Sequence, residues 1–590
     1  MGNTERTPKL VLKNKMKKKY ILGLNYGEFN SSACLLENGE IKIAIQEERL
    51  NREKFTKKFP LLSIKKILEN EKINFSNIDY VSVGWNPSKH MIKYNPLISS
   101  FRTMREYNFY TVNDNLLNLQ TNRELGSYTA LEHNEKNFPK VYHINHHLSH
   151  ASNAFYLSNF KTAAILTCDF KGEYESTTFN LGENNYIKEI ESHNLPNSLG
   201  KLYATFTELL GYKSDNDEWK VMAMSAFNLD CKKEIKKIKK CYNLFENGKF
   251  ELVSKYFEYS NAGNTNHHYT NNLLELFNIN NVIYNSSPSK KQIKIAKALQ
   301  ICSEEIALHF LEYLYKLTKN KNLVLGGGFF LNTVLNGKII SKTSFKNLYI
   351  PFAPSDTGNS IGSALYLYYN ILNNKRRNIN NTPYLGLKYD NAQIIKSVKK
   401  RKINFKIIKN KHKIIAEECF KNKIVGFFNG KFEFGDRALG CRSILGNPLN
   451  RNIKDLINQS IKYREKYRPF APSIIEESVE KYFETGNCKS NNYMERVFRI
   501  KKDYIKKLPG ITHLDNTARV QTVSKKSNPD FYKILVEFEK ISGYPILLNT
   551  SFNISGEPIV CSPDDALNTF FNSGIDIIVL NNVLISKEKK

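Results

Sequence analysis

The sequence predicts an α/β protein with more than one domain, and three observations support this prediction. First, strand-like apolar runs alternate with segments of helical periodicity along most of the chain. Second, 590 residues are enough for roughly two to five domains of ~100–200 residues each. Third, 41% of the residues are apolar, 24% are charged and 12% are aromatic. This composition is typical of a soluble globular protein and excludes a disordered chain.

The first part of the chain is predicted to begin with a β-hairpin. Residues 21–24 and 32–36 are apolar runs, and the turn Glu37-Asn38-Gly39 leads into a further run at 41–45. An Asn-Gly pair between apolar runs is a strong hairpin signal. The pattern then predicts the following elements: strands at 80–83, 163–167 and 323–325, and helices at 61–68, 292–316 and 361–369.

A polar, turn-rich linker at residues 373–383 predicts a domain boundary. We therefore expect one domain over residues 20–378 and a second over 384–590. Beyond the linker the alternation resumes in the following segments: 424–428, 454–461, 531–541, 545–548, 564–571 and 575–580.

Two stretches of the first domain look inserted. Residues near 95–135 are polar and weakly periodic, and residues near 228–290 are rich in Asn, Lys and Tyr. Each is either an elaboration that faces the substrate or a tolerated excursion of the surface, and the surface excursion is the favoured interpretation.

The chain is strongly basic, with a formal net charge of +30. Such a charge would suit nucleic acid, anionic lipid or phosphorylated small molecules. However, Lys and Asn crowd the whole chain, which favours the codon bias of an AT-rich genome as the explanation. We therefore expect no specific nucleic-acid partner.

The sequence also predicts a cytoplasmic location. No apolar run reaches the ~18–20 residues of a membrane helix, so no membrane partner is expected. Residues 1–19 form a basic polar extension without the apolar core of a secretory signal. The nine cysteines contain no Cys-x-x-Cys pair, and their odd number favours reduced thiols.

A first group of residues predicts a metal site. His146 and His150 are four residues apart in a segment of helical character, so both imidazoles project from one helix face, whereas His147 points elsewhere. Asp169 directly follows an apolar strand, and Asp356 precedes a helix. Two His and two Asp can hold Fe(II), Mn or Zn with open positions. The alternatives are a histidine-rich helix start without metal, and Asp356 as a helix cap.

A second group of residues favours anion binding. Gly326, Gly327 and Gly328 form a turn between a strand and a helix, where backbone amides can approach a phosphate or an adenosine, although a plain tight turn is as good an interpretation.

In the second domain, basic residues stand among Gly, Pro and apolar residues, which is typical of contacts with carboxylate or phosphate. They are Arg437, Arg442, Lys462, Arg464, Arg468 and Arg519. The alternative is internal ion pairing with Glu433, Glu465 or Asp515. At a strand end, Asn549 and Ser551 offer hydrogen bonds to a planar polar ligand.

With these residues assembled, the chain resembles the O-carbamoyltransferase family of the NodU/CmcH type, which includes the tobramycin and cephamycin carbamoyltransferases. The resemblance runs from about residue 20 to about residue 582, outside the two insertions. It is carried by the following motifs: 46–52, the His146/His150 pair, 218–222, 327–332, 356–358, 434–440, 468–473, 517–523 and 549–553.

The resemblance implies two domains and a two-step reaction. The first domain is expected to be similar to the tRNA threonylcarbamoyl transferase, with the actin-like ATPase fold, and the second to the YrdC fold. In this family, carbamoyl phosphate and ATP give a carbamoyl-adenylate at the second domain. A metal-bound centre in the first domain then transfers the carbamoyl group to a hydroxyl of a sugar or natural product, as in antibiotic biosynthesis.

The family's functional residues map onto this sequence by motif. The implied metal ligands are His146, His150, Asp169 and Asp356, for a divalent metal that is first of all Fe(II), with Mg or Mn as alternatives. The implied contacts to carbamoyl phosphate and ATP are Gly327, Gly328, Asn332, Arg437, Lys462, Arg468, Arg519, Asn549 and Ser551. Catalytic roles are expected of His146, His150, Lys462 and Arg468.

The sequence departs from the family pattern at three places. The first hairpin lacks the family's histidine, and Glu28 is its nearest substitute. Asp436 replaces a proline beside Arg437, and the family's Lys-Val-Met-Gly-Leu-Ala-Pro reads Lys-Val-Met-Ala-Met-Ser-Ala at residues 220–226.

The expected partner is a small hydroxyl compound, and a homodimer is one option for assembly. Two alternatives stay open. A tRNA threonylcarbamoyl transferase-like enzyme is allowed by the first domain alone. A non-catalytic nucleic-acid-binding protein on the same scaffold needs the positive charge concentrated on one face.

Overall fold

The structure is a computed structural model that describes residues 18–27, 29–87, 112, 115, 116, 119, 138–258, 267–280, 282, 284, 287–486, 488 and 490–587. The basic extension at 1–19 and the predicted insertion near 95–135 therefore lie almost wholly outside the described residues. No helix among the described residues is long and apolar enough to span a membrane.

The strands fall into a first half, β1 to β12, and a second half, β13 to β23. Those of the first half are β1 Tyr20–Asn25, β2 Ser32–Glu37, β3 Glu40–Gln46, β4 Tyr80–Val83, β5 Lys140–His143, β6 Thr162–Cys168, β7 Glu175–Glu183, β8 Tyr186–Asn194, β9 Tyr242–Leu244, β10 Phe250–Leu252, β11 Asn322–Gly326 and β12 Asn347–Tyr349. Those of the second half are β13 Lys406–Ile407, β14 Val425–Phe428, β15 Arg442–Gly446, β16 Ala471–Ile475, β17 Phe483–Glu484, β18 Val497–Ile500, β19 Thr517–Arg519, β20 Gln521–Val523, β21 Ile546–Ser551, β22 Ile577–Leu580 and β23 Val583–Ser586.

The α-helices among the described residues are numbered in the same way. In the first half they are α1 Glu48–Asn51, α2 Leu61–Glu71, α3 His146–Leu157, α4 Leu199–Leu209, α5 Glu218–Met224, α6 Lys232–Ile238, α7 Asn271–Phe277, α8 Lys290–Thr318, α9 Thr333–Asn336, α10 Ile339–Lys342 and α11 Asn359–Tyr366. In the second half they are α12 Asn391–Lys400, α13 Lys411–Phe420, α14 Ile453–Ile457, α15 Val479–Tyr482, α16 Lys502–Ile505, α17 Pro529–Ser542 and α18 Pro563–Phe571.

The first half contains two five-stranded sheets of the same topology. One has the order β3-β2-β1-β4-β5, with antiparallel pairs among β1, β2 and β3 and with β4 and β5 parallel to β1. The other has the order β12-β11-β6-β7-β8 and repeats this pattern, with β6 in the place of β1. A duplicated sheet of this topology is the actin-like ATPase arrangement, so the fold expected of the first half is confirmed.

Two helices fill the space between these sheets and position the functional site. Helix α11 packs on β1, β2 and β4, helix α3 packs on β6, β7 and β11, and the two helices pack against each other. Their contact is close because Gly362 of α11 has no side chain. A Cβ atom there would lie only 2.0 Å from the carbonyl oxygen of Ser149 on α3.

The second half is also α/β, as predicted. Its main sheet has eight strands in the order β13-β23-β22-β14-β15-β21-β16-β20, and β17, β18 and β19 form a small antiparallel sheet beside it. Because successive strand residues face opposite ways, Phe427 packs in a core with α13 and α17, while Phe428 packs in another with α14 and α18. Helices therefore cover both faces. The similarity to the YrdC fold and the domain limits stay predictions.

The predicted elements are present, with shifted ends. The helix predicted at 61–68 continues to Glu71, and that predicted at 292–316 spans Lys290–Thr318. The helix predicted at 361–369 begins at Asn359 and turns into a π-helical segment, Leu367–Ile371.

Candidate active-site cleft

The four predicted metal ligands converge between the two sheets of the first half. His146 and His150 lie on the first turns of α3, Asp169 directly follows β6, and Asp356 opens a short 3-10 turn ahead of α11. Because α3 packs against α11, these side chains meet, and one ligand atom of each lies within 4.8 Å of the others.

The geometry of this cluster fits a divalent cation. The Nε2 atoms of His146 and His150 are 3.1 Å apart. Asp169 Oδ2 lies 2.9 Å from Nε2 of His150 and 3.7 Å from that of His146. Asp356 Oδ1 lies 3.3 Å and 3.5 Å from the same two atoms. Two nitrogens and two carboxylate oxygens form a donor set suited to Fe(II), Mn or Zn, with positions left for a substrate.

The pKa values of the cluster show how strongly its charges interact. Burial lowers the pKa of His146, but the carboxylates of Asp356 and Asp169 outweigh it and raise this pKa to about 9. Burial raises the pKa of Asp169, but hydrogen bonds from both imidazoles hold it well below the usual range. Burial and the charge of Asp169 raise the pKa of Asp356. The two carboxylates therefore strongly favour positive charge at this point.

The start of the histidine helix is fixed by a buried carboxylate that the sequence pattern did not reveal. Glu173 accepts the backbone N–H of His146, at 2.9 Å and 3.0 Å to its two oxygens, and the side-chain amide of Asn145 at 2.9 Å. Asn145 in turn caps the helix by accepting the N–H of Leu148. Burial raises the pKa of Glu173 to about 7.

Two interpretations of neighbouring residues are settled by contacts. His147 points away from the cluster, as predicted, because its Nδ1 pairs with Thr167 Oγ1 at 2.7 Å and its Nε2 with the Glu175 carbonyl at 3.1 Å. Asp356 makes no capping hydrogen bond at the start of α11, so its carboxylate serves the cluster instead.

The glycine turn lies against the same cluster. Gly327 has φ 102, which favours glycine, and a Cβ there would lie 2.1 Å from the Cys168 carbonyl. The N–H of Gly328 donates to Asp169 Oδ2 at 3.1 Å, so the turn helps to orient a predicted metal ligand. Asn332 lines the cleft, while its amide pairs with Gln300 and caps α9.

Four arginines of the second half line the cleft: Arg437, Arg464, Arg468 and Arg519. Arg464 donates from Nε to Asn458 Oδ1 at 2.7 Å, and the other three form a cationic group. Burial lowers the pKa of Arg519, and the charges of Arg437 and Arg468 lower it further, so the three guanidinium groups are close. Arg519 Nε and Asn549 Oδ1 are buried without a hydrogen-bond partner among the described residues. Unpaired buried groups of this kind are costly unless a ligand binds them, which fits a small planar anion.

Among these arginines, Arg468 is held in place by side chains of both halves. Its guanidinium lies 3.6 Å from the ring centre of Trp219, which α5 of the first half supplies, and 3.3 Å from Glu465 Oε2. The alternative of internal ion pairing therefore describes Arg468 in part. It does not describe Arg519, whose Nε is buried without a hydrogen-bond partner among the described residues, whereas the charge of the neighbouring Asp436 acts on Arg437.

Lys462 lies behind the cleft instead of lining it. Its Nζ lies within hydrogen-bond distance of four oxygens, the carbonyl and hydroxyl of Ser551 and the carbonyl and side chain of Asn553, at 2.6–3.2 Å. Its ammonium group therefore holds the end of β21, where Ser551 does line the cleft. The predicted role of Lys462 toward a ligand stays a prediction.

The motif at 46–52 joins the two halves at the cleft, which sequence reasoning did not foresee. Gln46 Oε1 accepts the N–H of Gly435 at 3.1 Å, and Arg49 donates to the Gly435 carbonyl at 2.9 Å. Arg52 donates to the carbonyls of Pro558 and Ile559. The first half thus holds two loops of the second half that line the cleft.

The departures in the first hairpin and beside Arg437 have different outcomes. Glu28 lies outside the described residues, so its predicted role as a base stays a prediction. The next residue, Phe29, lines the cleft and stacks on Phe55 with ring centres 5.0 Å apart. Asp436 also lines the cleft and accepts a hydrogen bond from Ser355, the neighbour of Asp356, at 3.3 Å.

One continuous cleft of about 670 Å³ connects the two groups. Asp169 and Asp356 line it on the side of the first half, and Arg437, Arg468 and Arg519 on the side of the second half. His146 and His150 lie behind the two aspartates and are 1% and 0% exposed. The two groups therefore border the same space, which is partly open to solvent.

Comparison with known proteins gives matches to both halves. A family model described as the carbamoyltransferase N-terminus matches residues 20–365, and one described as the carbamoyltransferase C-terminus matches residues 416–587. The chain is 31% identical to the nodulation protein NolNO of Sinorhizobium fredii, over 95% of this chain and 79% of that protein. It is 32% identical to an uncharacterised protein of Synechocystis sp., over 96% and 97% of the two chains, and 32% identical to one of Methanocaldococcus jannaschii, over 96% and 100%.

Proposed function

Because the chain belongs to the carbamoyltransferase family, we propose that it transfers the carbamoyl group of carbamoyl phosphate, by way of a carbamoyl-adenylate made from ATP, to a hydroxyl of a sugar or natural product. The observation that supports the proposal is one cleft that is lined by Arg437, Arg468 and Arg519 at one side and by the two aspartates of the histidine and aspartate cluster at the other.

The first step is assigned to the arginine group. For the atoms to balance, carbamoyl phosphate first loses phosphate to water and gives carbamate. A carbamate oxygen then attacks the α-phosphorus of ATP, a new P–O bond forms, and pyrophosphate leaves. Arg437, Arg468 and Arg519 supply positive charge where these anions bind, and guanidinium groups match the planar geometry of carbamate and phosphate. Asn549 Oδ1, which is buried without a hydrogen-bond partner among the described residues, would accept from the carbamoyl amide.

The second step is assigned to the histidine and aspartate cluster. The acceptor oxygen attacks the carbamoyl carbon, the bond from that carbon to the adenylate oxygen breaks, and AMP leaves. His146, His150, Asp169 and Asp356 would hold a divalent metal, first of all Fe(II), which when bound supplies Lewis-acid stabilisation of developing negative charge. The N–H of Gly328 orients Asp169. Glu173, in turn, fixes the start of the helix that carries the histidines, so the site is organised before substrate arrives.

The test is an exchange assay with the full chain. Labelled pyrophosphate should enter ATP only when carbamoyl phosphate is present, and mass spectrometry of hydroxyl compounds incubated with the protein, ATP and carbamoyl phosphate should find products heavier by one carbamoyl group. Exchange that proceeds equally well without carbamoyl phosphate would contradict the proposed first step.

The family match over residues 416–587 also bears on the other enzyme considered, the tRNA threonylcarbamoyl transferase. That interpretation depended on the first half alone, and the second half matches the C-terminal part of carbamoyltransferases instead.

A further inference from the structure

The segment near 228–290, for which the sequence favours a surface excursion, contacts the second half of the chain through Tyr284. The Tyr284 hydroxyl donates to Oε1 of Glu465 at 2.9 Å. Tyr284 is 52% exposed, but its ring lies edge-on to that of Tyr212, with ring centres 5.4 Å apart, and the Nζ atom of Lys220 lies 5.7 Å from its centre. Contacts with three residues therefore fix the position of this side chain.

Glu465 is a buried carboxylate that connects the first half to the arginine group. It is 7% exposed, and its two oxygens have different partners. Oε1 accepts from Tyr284 and lies 3.8 Å from the Nζ atom of Lys220, whereas Oε2 lies 3.3 Å from Nη1 of Arg468. Two residues of the first half thus hold this carboxylate, which in turn holds an arginine that lines the cleft.

The charges of these residues depend on one another. Burial lowers the pKa of Arg468 to about 10, although the charge of Glu465 opposes this shift, so the guanidinium is charged at pH 7. Burial raises the pKa of Glu465, but a backbone hydrogen bond, the charge of Arg468, the Tyr284 hydroxyl and the charge of Lys220 hold it below its usual range. Glu465 is therefore ionised and offsets part of the cost of burying Arg468.

A carboxylate beside an anion-binding arginine can act in two opposite ways. It can compete with the anion for the guanidinium, which weakens binding. It can also hold the guanidinium in one orientation, which tightens binding because less ordering is needed when the anion arrives. Glu465 contacts Nη1, and the ring centre of Trp219 lies 3.6 Å from the guanidinium carbon. Arg468 is thus fixed from two sides while it still lines the cleft, which favours the second role.

We propose that Glu465 is a positioning residue for Arg468 and that Tyr284 orients Glu465, so that the segment near 228–290 helps to set the affinity of the arginine group for carbamoyl phosphate. The inference rests on the proposed function, which assigns carbamoyl phosphate to this group, and goes beyond it by giving a role to Tyr284. In the described part of the chain, neither Tyr284 nor Glu465 is among the residues that line the cleft, so both would act through Arg468.

The test measures binding of carbamoyl phosphate to the full chain by titration calorimetry, together with its KM and the maximal rate in the exchange assay. Tyr284→Phe removes one hydroxyl and no charge. We expect it to weaken binding and to raise the KM about two- to tenfold, the usual contribution of one hydrogen bond, and to leave the maximal rate unchanged. Tyr186→Phe is the matched control and should change neither, since Tyr186 is 54% exposed and its hydroxyl donates to Asn373 away from the cleft.

Variants of Glu465 distinguish positioning from competition. Glu465→Gln removes the charge and keeps the shape, so competition predicts tighter binding of carbamoyl phosphate, whereas positioning predicts weaker binding. In a Glu465→Ala background, Tyr284→Phe should have no further effect, because a residue that acts through Glu465 loses its influence when Glu465 is removed. Thermal unfolding shows whether each variant is folded, and Tyr284→Phe and Glu465→Gln keep the test decisive if Glu465→Ala is not.

Three results would overturn the proposal. One is that Tyr284→Phe changes neither the binding of carbamoyl phosphate nor its KM. Another is tighter binding by Glu465→Gln. The third is that the effects of Tyr284→Phe and Glu465→Ala simply add. Any of these, together with carbamoyl phosphate-dependent exchange by the unmodified protein, would leave the proposed function standing. An unmodified protein that neither binds carbamoyl phosphate nor catalyses exchange would contradict both.

Discussion

At the scale of single residues, the central feature is a pair of imidazole Nε2 atoms that lie 3.1 Å apart. His146 and His150 bring these atoms together because they are one helical turn apart, and Asp169 and Asp356 close the group from two other elements. Residues this close share protons or bind a cation, and the donor set favours a cation. The arginine group carries the opposite charge, and within it Arg519 Nε is buried without a hydrogen-bond partner among the described residues.

Removing the histidines tests the metal cluster. The double variant His146→Ala/His150→Ala should lose bound metal, because loss of ligands costs more affinity than the roughly 10–100-fold typical of an outer contact. Elemental analysis of the purified protein measures this. His147→Ala is the neighbouring control and should keep its metal, since His147 bonds to Thr167 and Glu175 instead. Full metal content in the double variant would show that the cluster is not the metal site.

The stacking of Trp219 on Arg468 gives a second test at this scale. A guanidinium over an indole contributes roughly 0.5–2 kcal/mol, so Trp219→Leu should raise the KM for carbamoyl phosphate by about two- to thirtyfold in the exchange assay. Trp219→Phe should lose less, because it keeps a ring under Arg468. Equal effects of the two substitutions would mean that the ring does not support Arg468.

At the scale of elements, helix α1 and the residues beside it connect the two halves. Gln46 and Arg49 hold the backbone of Gly435, and Arg52 holds the turn at Pro558 and Ile559. Arg49 is 1% exposed, so these bonds are shielded from water and sensitive to geometry. The loop that carries Arg437 is therefore positioned from the first half.

Arg49→Lys tests this coupling. Lysine keeps the charge beside Glu48 but cannot bridge Gln46 and Gly435 with a planar fork. We expect pyrophosphate exchange to fall about tenfold or more, with metal content unchanged. Arg376→Lys is the matched control, since Arg376 donates to the carbonyls of Asn184 and Phe155 away from the cleft, and should lose stability only. Equal losses of exchange in both variants would remove the special role of Arg49.

The elements around the site were predictable because they depend on local patterns. The start of α3 at His146 follows from periodicity, and the position of Asp169 follows from the apolar run of β6. What sequence did not reveal depends on contacts between distant segments. In the sequence, nothing distinguishes Glu173 from other acidic residues, and its role follows only from its burial against the start of α3. The sequence predicts Lys462 as a ligand contact, whereas in the structure four backbone and side-chain oxygens surround its Nζ.

At the scale of the whole molecule, the cleft lies where both halves contribute walls. The first half supplies Asp169, Asp356 and Trp219, and the second half supplies the arginines. In the proposed reaction, an adenylate made at one side would reach the other through about 670 Å³ of partly enclosed space. Confinement of this kind limits its loss to water.

The net charge of +30 is also a property of the whole molecule. Since basic residues are spread along the sequence, we expect RNA binding to be weak and to vanish at ~0.15 M salt in a filter-binding assay. Tight binding at that salt, together with a lack of exchange activity, would support the alternative of a nucleic-acid-binding protein.

The central claim is that adenylate formation and carbamoyl transfer occur at opposite sides of one cleft. Carbamoyl phosphate-dependent exchange of pyrophosphate into ATP, measured side by side in Arg468→Ala and in His146→Ala/His150→Ala, tests it most directly. We predict that Arg468→Ala abolishes exchange, because a lost anion contact in a buried site costs about 2–5 kcal/mol, whereas the histidine variant retains it and loses only transfer to the acceptor. Equal loss of exchange in both variants would contradict the claim.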